Sequence, residues 1–149
     1  MNPTFKKDDL KFDSDFEGGN LDLAIYVNPA EYDLVMRVDS NTKGHTAWFY
    51  FKVSNAAQNQ KIKFNIINYS KKYLLYKDGM KPYVYKKSVG QWVQAGINVT
   101  YNGRKFRYEG LEEVRYQCLS FIYEFKDSED VYFAYCVPYS YSYLLSRLE

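Results

Sequence analysis

Apolar and polar side chains alternate with a period of two along most of this chain, and helical periodicity is almost absent. Leu21, Leu23, Ile25 and Val27 alternate with Asp22, Ala24 and Tyr26, and Leu34, Met36 and Val38 with Val35, Arg37 and Asp39. Asn28-Pro29-Ala30 between these runs is a turn signal, so the two predict a hairpin or a sharp corner. Residues 47–53 (AWFYFKV) are nearly all aromatic or apolar, the pattern of a central strand with both faces covered. Ile62, Phe64 and Ile66 face one way and Lys61, Lys63 and Asn65 the other. Asp78-Gly79 and Lys81-Pro82 punctuate the middle, a short strand is expected over 83–85, and residues 91–100 predict one or two more. Asn102-Gly103 has the composition of a tight turn. Leu119, Phe121, Tyr123 and Phe125 share a face, and Val131, Phe133, Tyr135 and Val137 answer them across the polar stretch 126–130, which reads as a hairpin loop. After Pro138 the alternation stops. Residues 139–148 resemble the first turns of a helix, with Ser140 or Ser142 as cap and Tyr143, Leu144, Leu145 and Leu148 apolar.

About eight or nine strands at such spacings predict an all-β fold, an antiparallel β-sandwich with a short C-terminal helix. Parallel pairing needs long crossovers, usually helical, and none is offered. An aromatic share of 19% agrees, because rings suit a pleated, half-buried surface. At 149 residues the chain fits one domain. The sandwich is expected over 1–137 and a helix or linker over 138–149.

Charge is distributed unevenly behind a net +2. Residues 1–40 carry nine acids against four bases, whereas 61–87 carry eight lysines against Asp78 alone. Either these lysines line the solvated faces of strands, or some of them (Lys71, Lys72, Lys86 and Lys87) meet an acidic partner. The two cysteines, Cys118 and Cys136, are too few for a disulfide framework. A hairpin centred near Ser128 places Cys136 opposite Ser120 and diagonal to Cys118, roughly 7–8 Å away, beyond easy disulfide reach. The opening MNPTFKKDDL has no apolar core of a secretory leader, so a cytoplasmic location with free thiols is expected and the sequons at Asn68 and Asn98 are chance matches.

Catalytic chemistry finds little footing. His45 is the one histidine and has no carboxylate at a ligand spacing. Ser120 lies inside a strand pattern rather than on a nucleophile elbow, and Gly18-Gly19 lacks a phosphate-loop frame. No cofactor is expected on this chain. The modest positive balance argues against nucleic acid, and no apolar run is long enough for a membrane helix.

Four phrases in order resemble blocks of the cytosolic carboxypeptidases, the zinc peptidases that trim glutamates from tubulin tails. They are FDSDFEGGNLDLA at 12–24, YDLVMRVDSNTKGHTAWFYFKVSN at 32–55, FNIINYSKKYLLYKDGMKPYVY at 64–85 and YFAYCVPYSYSYL at 132–144. Ser140 stands where that family commonly has Thr, Gln94 where its W-x-R-x-G stretch has Arg, and residues 103–113 match no block. The resemblance implies a non-catalytic N-terminal β-sandwich of a zinc metallocarboxypeptidase, a hydrolase that deglutamylates proteins. Its H-x-x-E motif and zinc ligands would lie beyond Glu149, so no catalytic or metal-binding residue carries over to this chain.

On that reading the sandwich supports folding of its own catalytic domain and forms one wall of the substrate groove for acidic, glutamate-rich tails such as those of tubulin. Pro138, Tyr139, Tyr141, Tyr143, Leu144 and Leu148 are the expected interdomain contacts, on a segment that would fray in isolation. The alternatives are a free-standing module that binds acidic tails and a carbohydrate-binding sandwich.

Overall fold

The computed structural model describes residues 10–37, 48–69, 76, 79–103 and 117–138. Ten strands run through them: β1 (Lys11–Asp13), β2 (Leu21–Asn28), β3 (Glu31–Met36), β4 (Tyr50–Ser54), β5 (Gln60–Tyr69), β6 (Tyr83–Tyr85), β7 (Trp92–Gln94), β8 (Ile97–Gly103), β9 (Gln117–Phe125) and β10 (Val131–Ala134). They form two five-stranded sheets, sheet I in the order β1-β4-β10-β6-β7 and sheet II in the order β2-β3-β5-β9-β8. The all-β sandwich read from the alternation is the observed architecture. Pro138 lies at the end of the described residues, and the expected helix over 139–148 falls outside them, as do Lys71 and Lys72.

The alternation works because one side of each sheet is aromatic and aliphatic. In β10 and β4, Phe133 stands opposite Phe51; in β9 and β5, Phe121 stands opposite Phe64. These two pairs face each other between the sheets, with Phe64 and Phe133 ring centroids 5.3 Å apart and Phe121 and Phe133 5.9 Å apart. All four rings are at most 1% exposed. Such ring pairs contribute about 0.5–1.5 kcal/mol each beyond the area they bury.

Five expectations need correction, each for a physical reason; the fifth, that no pair runs parallel, fails at β3 and β5. Strands β9 and β10 do not form a hairpin, since they belong to opposite sheets. The 126–130 link is a corner between the sheets, fastened by Lys86 Nζ donating to Asp127 at 3.1 Å and the Ser88 amide donating to the Glu129 carboxylate at 3.1 Å. Cys136 is therefore not opposite Ser120; Cys118 Sγ instead lies 3.4 Å from Ser120 Oγ within β9. In β2–β3, which is the expected hairpin, a register shift between Leu21 and Leu23 flips the parity. Leu21 and Ala24 pack on the core, and Leu23 is 53% exposed. Asn102 and Gly103 continue β8, paired with Cys118 and Gln117, and the passage from β7 in sheet I to β8 in sheet II runs through Gly96, whose φ of 120° suits glycine.

One pair, β3 and β5, runs parallel. The crossover it needs is supplied by β4 of the other sheet rather than by a helix. Beyond the last paired residues, Asn68 extends this ladder with its side chain, accepting from the Met36 amide at 2.9 Å and donating to the Met36 carbonyl at 2.8 Å.

Candidate functional site

The outward side of sheet I carries the most unusual surface. Register brings Asp13, Lys52, Tyr132, Tyr85 and Trp92 into one row across all five strands. Lys52 Nζ reaches Asp13 at 3.7 Å and Asp130 at 3.9 Å, and stands 6.0 Å from the centre of the Tyr132 ring. Beside this row lie Tyr50 and Phe16. Five rings close a belt: Phe16 to Tyr50 (4.8 Å between centroids), Tyr50 to Trp92 (5.7 Å), Trp92 to Tyr85 (5.4 Å), Tyr85 to Tyr132 (6.1 Å) and Tyr132 back to Phe16 (5.5 Å). They line a groove of about 880 Å³, with Lys87 and Pro138 also on its wall.

The loop 14–20 brings Phe16 to the belt. The Gly19 amide donates to the Phe16 carbonyl at 3.0 Å, and Gly18 takes φ = +86°. A Cβ on Gly19 would sit 2.2 Å from the Ser14 carbonyl oxygen, so only glycine fits there. Asn20 then clamps the start of β4. Its Oδ1 accepts from the Tyr50 amide at 2.9 Å, its amide donates to the Tyr50 carbonyl at 3.1 Å, and its Nδ2 donates to the Trp48 carbonyl at 3.0 Å. Trp48 returns a hydrogen bond from Nε1 to the Gly18 carbonyl at 3.2 Å.

All five belt rings are half-buried and none joins the core cluster. The hydroxyls of Tyr50, Tyr85 and Tyr132 and the indole N–H of Trp92 make no hydrogen bond to another described residue. Burial pushes the Tyr50 phenol above its ordinary value, and the phenols of Tyr132 and Tyr85 push it further, so it remains a neutral donor at physiological pH. The surface offers apolar ring edges with polar tips, with Glu17 and Lys87 beside them.

Of the lysines singled out from the sequence, Lys86 is held by Asp127, a hydrogen bond that raises its pKa, and Lys87 stands exposed at the groove. Lys61 and Lys63 lie on the outer side of sheet II, so the lysine-rich segment is divided between the two faces of the sandwich. Pro138 lines the groove, whereas Tyr139, Tyr141, Tyr143, Leu144 and Leu148 lie outside the described residues. The sequence reading missed Phe16, Tyr50, Tyr85, Trp92 and Tyr132. One signal was available: the outward alternates of β4, β6 and β10 include Tyr where a solvated face would carry Lys or Thr.

Sheet II is built differently outside. Asp33, Asn65 and Ser120 stand side by side in register and are buried. Asn65 Nδ2 donates to Asp33 at 2.8 Å and to Glu31 at 2.7 Å, and Ser120 Oγ donates to Asn65 Oδ1 at 2.6 Å. Among the described residues no three His, Cys, Asp or Glu side chains converge as a metal site would require, and His45 lies outside them. No helix among them is long and apolar enough to cross a membrane.

Comparison with known proteins gives this surface its context. The description "Cytosolic carboxypeptidase N-terminal domain" matches residues 12–135. Cytosolic carboxypeptidase 2 of Xenopus tropicalis is 38% identical over 148 residues, which are 95% of this chain and 15% of that protein. Human cytosolic carboxypeptidase 6 is 38% identical over 138 residues, 92% of this chain and 26% of that protein. The chain thus spans about a quarter or less of these relatives. A metallo-carboxypeptidase from Pseudomonas aeruginosa, solved with (2-guanidinoethylmercapto)succinic acid, shares the fold at a TM-score of 0.67 and 22% identity, over 93% of this chain and 32% of that one. The chain belongs to the cytosolic carboxypeptidase N-terminal domain family.

Proposed function

We propose that this chain is the non-catalytic sandwich of a cytoplasmic zinc carboxypeptidase, where it supports folding of the catalytic domain and forms one wall of its substrate groove. The observation that carries this reading is the match of a two-sheet sandwich to about a quarter or less of relatives named carboxypeptidases. The larger part of such a protein would supply the hydrolysis and the zinc ligands. Its substrates, on this reading, are acidic tails rich in glutamate, such as those of tubulin. Lys87, exposed at the rim of the groove, and Lys71 and Lys72 would meet them.

A chimera tests the proposal. This chain replaces the matching stretch of the human relative, and soluble yield and glutamate release from a polyglutamate peptide are measured. The expected result is a soluble, active chimera, whereas deleting the stretch leaves the remainder insoluble or inactive. Glutamate release or stoichiometric zinc in the 149-residue chain alone would contradict the reading.

A further inference from the structure

We propose that the belt of Phe16, Tyr50, Trp92, Tyr85 and Tyr132 is the face on which the carboxypeptidase domain rests; the proposal depends on the reading above and adds the surface. A half-buried ring with a free polar tip is the side chain that interfaces favour, because the ring loses water while the hydroxyl or indole finds a partner across the contact. Four of the five belt rings are of that kind, and their tips make no hydrogen bond to another described residue.

The loop that delivers Phe16 points the same way. The positive φ of Gly18 and the close approach of Gly19 to Ser14 place Phe16 against Tyr50 and Tyr132, outside the core cluster.

The relatives indicate the occupant. In each, most of the polypeptide lies outside the stretch this chain matches. Val137 and Pro138, which follow the family match ending at residue 135, line the belt's own groove. Chain continuing from there starts at the edge of the rings. The outer side of sheet II also carries a groove, between Glu31, Lys63, Thr100 and Asn102, but it is lined by polar side chains rather than rings, and its central Ser120 donates to Asn65. Glu17 and Lys87 flank the rings, giving the aromatic centre a polar rim.

The test uses hydroxyl-radical footprinting on the isolated chain and on the chimera described above. Trp92, Tyr85 and Tyr132 should be oxidised in the isolated chain and protected about tenfold in the chimera, while Leu23 on sheet II stays equally reactive in both. Trp92→Ala and Tyr132→Ala should each lower the yield of assembled chimera about tenfold, the loss of one interface hot spot. Thermal unfolding of each variant in the isolated chain separates this from misfolding, and a near-normal midpoint is expected. Lys61→Glu with Lys63→Glu is the control on the other face and should leave assembly intact. An active chimera whose belt is oxidised as readily as in the isolated chain overturns the docking face and leaves the parent reading standing. Belt-dependent binding to a glycan array, with no protection in the chimera, would reassign the rings to sugar. A chimera that never assembles removes both the reading and the face.

Discussion

On sheet I the outward side chains include Tyr50 and Lys52 on β4, Tyr132 on β10, Tyr85 on β6 and Trp92 on the edge strand β7; on sheet II they include Lys61, Lys63 and Asn65 on β5 and Ser120 on β9. Both sheets turn phenylalanines inward, so the inner faces are interchangeable in kind and the outer faces are not. Sheet II closes its polar face upon itself: Ser120 bonds Asn65, and Asn65 bonds Asp33 and Glu31. Sheet I leaves its phenols and its Trp92 indole without partners among the described residues. A face that satisfies its own hydrogen bonds is structural, whereas one that keeps rings half-covered and tips unbonded is prepared for a contact.

The sharpest way to break this contrast lies within one strand. Phe133→Ala empties the centre of the core and should cost about 3–5 kcal/mol in chemical denaturation. Its neighbour Tyr132 points outward on the same strand, and Tyr132→Ala should cost about 1 kcal/mol, the centre of the ordinary range for point changes. If the two losses were equal, the belt would be core under another name.

Sheet II should respond in the opposite sense, with its outer polar side chain mattering to the fold. Asn65→Ala removes one donor to Asp33, a side chain at 0% exposure, and takes from Ser120 its Asn65 acceptor, with Cys118 Sγ still 3.4 Å away. Leaving buried polar groups unmet costs about 1–3 kcal/mol. The expected loss lies within that range, measured by the same denaturation. A cost near zero would mean that water replaces the side chain and that the face is as open as that of sheet I.

Which of these features the sequence could reveal follows from the range of each signal. Period-two alternation is local, and it correctly marks Phe64, Phe121 and Phe133 as inward, whereas residues 47–53 read as covered on both faces and did not single out Phe51. It cannot say which strand lies beside which. The five residues 126–130 suit a hairpin or a corner between sheets equally well, and the choice is made by Lys86 and Ser88, about forty positions away in sequence. The bulge in β2 inverts parity without any glycine or proline to announce it. The belt was illegible for the same reason. Tyr50, Tyr85, Trp92 and Tyr132 come from four strands, and only the register of sheet I makes them neighbours. The four resembling blocks, by contrast, were readable as sequence. Their structural content emerges only now, with FEGGN being the loop that carries Phe16 and clamps Tyr50.

Smaller effects separate two tyrosines of the interior. Tyr76 donates its hydroxyl to the Tyr135 carbonyl at 2.6 Å, whereas the Tyr69 hydroxyl is buried with no partner. Tyr76→Phe should therefore cost about 1 kcal/mol, and Tyr69→Phe should be neutral or stabilising. Burial raises both phenols. Because the folded value lies above the unfolded one, their contribution is complete below about pH 10 and is lost as pH rises beyond it, the unfolded chain ionising first. Tyr69→Phe should make alkaline unfolding less steep, followed by phenolate absorbance; unchanged steepness would place the ionisation elsewhere.

The least effect on stability is expected where sheet I already spends a charge. Asp127 has its carboxyl lowered first by the hydrogen bond from the Glu129 backbone amide at 2.9 Å and then by the one from Lys86. A lowered carboxyl stabilises above its unfolded value and loses that contribution as pH falls through the folded one; a raised lysine stabilises below its unfolded value and loses it as pH rises. The Lys86–Asp127 link is thus complete across the neutral range and released at both extremes. Both groups sit at the surface, where salt screens them, so Asp127→Asn should leave the unfolding midpoint unmoved. The informative readout is a carboxyl titration by NMR. In Lys86→Met the Asp127 midpoint should rise only part of the way to the ordinary value, because the backbone donor remains. Full recovery would make Lys86 the main cause. With Lys86 committed to Asp127, an acidic peptide reaching this end of sheet I would depend on Lys87. Lys87→Met should weaken binding of a glutamate-rich peptide more than Lys86→Met does, with the gap closing as salt is added. Equal losses would place both lysines on the partner and the Asp127 link outside the bound state.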